Sequence, residues 1–181
     1  MSAVNQYKHL IAYDLSSYGA AFAIINQFVD DKVVKVFEVS PCGQTAILIL
    51  LSNETISLQI IKSEVASIFG SQVLSCALIE NIHEDLLPTY LSQNKSTLRK
   101  TLAILEGPSI ANGFVLAQRA LEKKNTLIDF RVIRTFPKNI LLTISAESLG
   151  QLINPDGFDF KQTNFDSIQP SLKSFYEIKS T

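Results

Sequence analysis

Thr101-Leu102-Ala103-Ile104-Leu105-Glu106, followed by Ser109, decides the fold, because the chain has already presented this pattern once as His9-Leu10-Ile11-Ala12-Tyr13-Asp14, followed by Ser17. Each is a short apolar run closed by an acid and then by a serine able to cap a helix. The correspondence continues: Phe114 matches Phe22 and Lys124 matches Lys32, at a shift of about 92 residues, a period that means duplicated domains and not a solenoid.

Outward from the first copy, Ala20 to Val29 reads as the body of a helix that is apolar nearly all round, so a sheet is expected on one side and a neighbouring chain on another. Val33 to Phe37 and Ala46 to Leu51 are too short and too rich in aliphatic residues for ordinary helices, and read as two strands. Ser40-Pro41-Cys42-Gly43-Gln44 joins them as a loop with the cysteine at its tip. Asn53-Glu54-Thr55 opens a second helix with an apolar stripe of Ile56, Leu58, Ile60, Ile61, Val65 and Ile68, and Gly70 is expected to stop it in the left-handed conformation. Val73 to Ile79 is a fourth strand, and Asn81 to Pro88 a turn or short helix.

In the second copy, Leu127 to Ile133 and Ile140 to Ile144 repeat the hairpin strands, with Arg134-Thr135-Phe136-Pro137-Lys138-Asn139 in place of the cysteine loop. Ser148 to Ile153 is too short for a full second helix, Phe158 to Lys161 is a candidate closing strand, and Ile168 to Ile178 a terminal helix or tail. The order strand, helix, strand hairpin, helix, strand predicts an α+β fold of two domains, each an antiparallel or mixed sheet with helices packed on it. The first domain is assigned to 1–92, a polar linker to 93–100, and the second domain to 101–181, divergent and shortened after about 147.

Composition narrows the function. Net charge is −1 with a pI near 6.1, so no basic field recruits nucleic acid or an anionic membrane. Apolar residues make up 46% and charged residues 18%, enough for a sizeable core with surplus for a subunit interface. The N-terminus lacks an apolar signal core, and no apolar stretch approaches the ~18–20 residues of a membrane helix. Cys42 and Cys76 do not form a disulfide framework, which points to a reducing cytosol.

Few residues suggest chemistry. Cys76 lies in an apolar strand and reads as structural. His83 has only His9 as a fellow histidine and reads as a turn residue or an inter-subunit hydrogen bond, and Asp14 and Glu106 are explained by duplication without acid–base work. Lys95, Arg99 and Lys100 form a small basic cluster explained by a solvated linker. No glycine-rich phosphate loop, nucleophile–base signature or cysteine-pair spacing occurs, which argues against an enzyme. Cys42 alone cannot hold a metal cluster, but symmetry can bring several copies together. On the residues alone it is a cluster ligand or a plain loop thiol.

The tandem pattern resembles the bacterial microcompartment (BMC) shell-protein family, tandem-domain class. The resemblance rests on Val73-Leu74-Ser75, Leu78-Ile79, Asn81-Ile82-His83 and Leu87-Pro88 as the close of one domain, and on Ile104-Leu105-Glu106, Ser109-Ile110-Ala111 and Gly113 as the opening of the next. It is strongest to the T-type shell proteins of propanediol-utilisation compartments, and covers roughly residues 8 to 147. It implies two ferredoxin-like BMC domains per chain and a homotrimer mimicking a six-domain ring, located in a compartment shell in the bacterial cytoplasm. Its partners would be other shell proteins and encapsulated enzymes. The central opening would pass small molecules or hold a [4Fe–4S] cluster shared by three chains. Cys42 would then be the metal ligand, with Ser40, Pro41, Gly43, Gln44, Thr135, Phe136 and Pro137 at the pore rim. The chain departs from the family at Asp30 and Glu122, which stand where a lysine usually packs against the neighbouring tile. The rival reading is an oligomeric, small-molecule-binding regulatory protein of ferredoxin-like domains.

Overall fold

The computed structural model describes residues 6–93, 96–135 and 137–178. Lys95 of the basic cluster and Phe136 of the expected rim lie outside the described residues. Two compact units divide the chain. The first runs to Ile82 and takes in Ser109–Val115 and Arg134–Lys138; the second holds His83–Pro108, Leu116–Ile133 and the chain from Asn139 onward.

The first unit is built on β1 (His9–Leu15), α1 (Tyr18–Phe28), β2 (Val34–Cys42), β3 (Thr45–Ser52), α2 (Thr55–Phe69) and β4 (Val73–Ile79). The strands form an antiparallel sheet in the order β2-β3-β1-β4. Ile11, Tyr13 and Leu15 of β1 and Leu48 and Leu50 of β3 face one core, closed by Ala20, Ala21 and Ile24 of α1 and Leu58, Ile61 and Val65 of α2. Burying each large aliphatic side chain there contributes about 1.5–3 kcal/mol. The alternate residues, Leu10, Ala12, Ile47, Ile49 and Leu51, are buried as well. That is why these central strands read as unbroken apolar runs and not as alternating ones.

Three local expectations are corrected. β2 does not stop at Phe37. It takes in Ser40, Pro41 and Cys42 and leaves Gly43-Gln44 as a two-residue turn. Pro41 is tolerated because β2 is an edge strand. Gly43 has φ +62 at the first turn position, where a tight hairpin favours glycine. On α2, Leu58, Ile61 and Val65 point inward, but Ile56, Ile60 and Ile68 are exposed, so the apolar positions split between two faces. Gly70 is right-handed, at φ −52, and leads into a 3-10 turn, Gly70–Gln72; the helix tightens there and does not end on a left-handed cap.

The second unit contains α3 (Leu86–Tyr90), β5 (Thr101–Gly107), β6 (Thr126–Ile133), β7 (Asn139–Ala146), β8 (Lys161–Phe165) and α5 (Pro170–Ile178), with α4 (Ile110–Glu122) entering it from Leu116. Its sheet order, β6-β7-β5-β8, repeats that of the first unit. Each copy also carries one irregularity in its hairpin, between Val36 and Glu38 and between Leu127 and Asp129. A 3-10 turn, Leu149–Gln151, replaces the second helix. The closing strand starts at Lys161, where the expectation ended: Phe158 and Phe160 serve instead as anchors. Phe158 lies under the Arg119 guanidinium at 5.0 Å, and Phe160 packs onto Gly107.

Candidate functional site

Two side-chain groups meet at the Cys42 end of the first unit. The first surrounds Asp14, the sixth residue of β1, which is buried. Its carboxylate accepts from the backbone N–H of Ile110 at 3.2 Å and of Ala111 at 3.3 Å, and from Ser109 Oγ at 2.9 Å. Ser75 Oγ and Lys138 Nζ also donate to it. Ser109 Oγ accepts from Asn112 N–H at 3.1 Å, so serine and Asp14 together satisfy the free N–H groups of α4's first turn. A carboxylate so saturated with donors, placed at the positive end of a helix and ion-paired to a buried lysine, is a structural anchor and not a general base.

The second group surrounds Glu38 on β2. Its Oε1 accepts from Arg134 Nη2 at 2.8 Å and from Ser40 Oγ at 2.5 Å. Cys42 ends the strand and its carbonyl accepts from Thr45 Oγ1 at 2.8 Å, which closes the Gly43-Gln44 turn. The cysteine is 2% exposed. Burial pushes its thiol pKa up, and the Lys138 and Arg134 cations only partly oppose this.

Of the residues singled out by the sequence, Ser40, Pro41, Cys42, Gly43, Gln44, Thr135 and Pro137 thus fall in one unit. Pro41, Gly43, Gln44, Thr135 and Pro137 are exposed, Ser40 is half-buried and Cys42 is buried. Cys42, which would be the ligand of a cluster shared between chains, has its side chain buried within its own chain. No group of three or more potential metal-ligating side chains occurs among the described residues. The sequence reading missed Glu38, Ser75, Arg134 and Lys138. The available signal was Arg134 and Lys138 flanking the segment that replaces the cysteine loop, two cations without a counterpart in the first copy.

Elsewhere, Cys76 lies beside Tyr13 on the neighbouring strand, where burial raises its pKa to about 11. His83 Nδ1 accepts from Asp85 N–H at 3.2 Å, and the His83 backbone N–H donates to Gln118 Oε1 at 3.0 Å. In the second unit a half-open cavity of about 230 Å³ is lined by His83, Asp85, Arg99, Lys124 and Asn125 among others. Its arginine is engaged by the Lys124 carbonyl at 3.0 Å.

No protein-family model and no curated protein matches the chain by sequence. Among solved structures, a microcompartment protein from Desulfitobacterium hafniense matches with a TM-score of 0.72 at 17% identity, over 93% of this chain and 99% of that one. The chain has the fold of a microcompartment protein. At 93% of this chain, the match extends over both units. No helix among the described residues is long and apolar enough to cross a membrane.

Proposed function

We propose that this chain is a structural, non-enzymatic component of a bacterial microcompartment shell, working in the bacterial cytoplasm beside other shell proteins and the enzymes they enclose. The observation that carries the proposal is the duplicated β2-β3-β1-β4 sheet order together with the fold shared, nearly end to end, with a microcompartment protein. Three chains form a closed six-domain ring, as the resemblance to tandem-domain shell proteins implies. Cyclic closure turns one hairpin end per domain into the rim of a central opening.

The exposed turn residues Gly43, Gln44, Thr135 and Pro137 border that opening, with Ser40 and Pro41 behind them. Small molecules pass through it. The burial of Cys42 within its own chain weighs against the [4Fe–4S] cluster as the occupant and makes the cysteine part of the rim's support. Anaerobic purification with iron and sulfide analysis separates the two uses. An apo assembly supports passage; one cluster per three chains restores Cys42 as a ligand and shows that the Gly43-Gln44 turn opens. Expression with other shell proteins, followed by electron microscopy, tests the shell role itself: incorporation into sheets or polyhedra supports it, and exclusion from both contradicts it.

A further inference from the structure

One buried oxygen of the second unit has no partner. Asn125 lies between α4 and β6 and is only 5% exposed. Its Nδ2 donates to the Gln151 carbonyl at 3.0 Å and to the Lys123 carbonyl at 3.4 Å. These two carbonyls fix which end of the amide is which, because the swapped amide would set oxygen against oxygen. Oδ1 is left buried with no hydrogen-bond partner among the described residues. An acceptor in that state is uncommon in a folded chain and calls for a donor from outside.

Asn125 lines the half-open cavity of about 230 Å³, whose walls all belong to the second unit. Leu121 and Leu127, both buried, make an apolar side. Arg99 is exposed, and its Nη1 donates to the Lys124 carbonyl at 3.0 Å. That bond anchors the guanidinium and uses one of its five N–H donors. His83 Nδ1 accepts from the Asp85 backbone N–H, so the neutral ring carries its proton on Nε2, a further donor. Arg99 and Lys124 against Asp85 leave the lining with one net positive charge. The cavity therefore combines a buried acceptor, an apolar side and a cationic, donor-rich side.

We infer that this cavity binds a short hydroxycarboxylate. The hydroxyl donates to Asn125 Oδ1, the carboxylate is held by the Arg99 guanidinium and His83 Nε2–H, and the carbon chain lies on Leu121 and Leu127. A hydroxyl suits Oδ1 better than an ammonium does, since burying a charge against a neutral amide carries the larger desolvation cost. The volume falls below the roughly 300–1,000 Å³ of pockets for drug-sized ligands, which excludes a nucleotide and fits a chain of a few carbons. The site is independent of the shell reading, and none of the rim residues lines it.

Ligand-observed NMR titration of the full chain tests this with three probes on one carbon skeleton. They are 2-hydroxybutanoate, butanoate, which lacks the hydroxyl, and butane-1,2-diol, which lacks the carboxylate. The hydroxy acid is expected to bind saturably with a Kd at or below about 1 mM. Each of the other two is expected to bind at least about tenfold more weakly. Arg99→Gln is expected to weaken the hydroxy acid about tenfold and leave the diol unchanged. Asn125→Ala is expected to erase the advantage of the hydroxy acid over butanoate. Circular dichroism checks folding; if Asn125→Ala does not fold, the wild-type comparison of hydroxy acid with butanoate reads the same contact. No saturable binding of the hydroxy acid, equal binding of butanoate, or indifference to Arg99→Gln overturns the site, and Oδ1 then holds only a water. The shell reading stands or falls on its own experiment in each case.

Discussion

The carboxylate of Asp14 accepts the backbone N–H of Ile110, at 3.2 Å across 96 residues of sequence, and so caps a helix that belongs to the other copy of the repeat. The same carboxylate neutralises Lys138, whose side chain is nearly as buried as its own. Asp14→Ala removes the counter-charge of a buried lysine and the cap of α4 in one step, and is expected to cost about 4 kcal/mol. For a chain of this length that lowers the melting temperature by roughly 10 °C. Differential scanning calorimetry checks it. Asp14→Ala combined with Lys138→Met is expected to lose less than Asp14→Ala alone, since no unpaired charge then remains buried.

Cys42 is held as a buried thiol. In the native protein at neutral pH it is expected to react with an aromatic disulfide reagent far more slowly than in the unfolded chain. Comparing Cys76→Ala with the doubly substituted protein isolates its rate. Fast native labelling would mean that the turn at Gly43-Gln44 opens, and would favour the cluster reading.

Alkaline stability is expected to depend on Cys76. Its pKa rises from about 9 to about 11 on folding, so the folded chain holds the proton more tightly than the unfolded one. That contribution is fully present below about pH 9 and is lost as pH rises towards 11. Urea denaturation at stepped pH is expected to show a shallower alkaline decline for Cys76→Ala than for wild type. Equal slopes would remove Cys76 as a cause.

Gly107 has no room for a side chain. A Cβ there would lie 2.5 Å from the Phe160 ring and 2.6 Å from the Asp159 carbonyl. Gly107→Ala is expected to push the Phe160 anchor off β5 and cost about 1–3 kcal/mol. Faster hydrogen exchange confined to β8 is the accompanying sign; unchanged protection there would mean that Phe160 does not hold the strand.

The parts of the fold legible in the sequence were those with a local cause. Ser17 and Ser109 announce their helices because a hydroxyl satisfies the first turn wherever it stands. β4 is bounded at Val73 and Ile79 as read, since its apolar run is short and flanked by turn residues. β8 was displaced in the reading because Lys-Gln-Thr-Asn-Phe is polar, as an exposed edge strand can be, while the neighbouring aromatics looked more like a strand and are anchors. The candidate site was less legible. Pro41 and Gly43 resemble a loop, and only the register of β2 on β3 shows a strand running through Pro41 to Cys42. Lys138 and Arg134 acquire their meaning from Asp14 and Glu38, about a hundred residues away, which no local pattern reports.

The central claim is that this chain closes into a ring of three. Native mass spectrometry of the anaerobically purified protein tests it most directly. The account predicts one dominant species of three 20.0-kDa chains without a bound iron–sulfur mass. A protein that stays a single chain at micromolar concentration would contradict it.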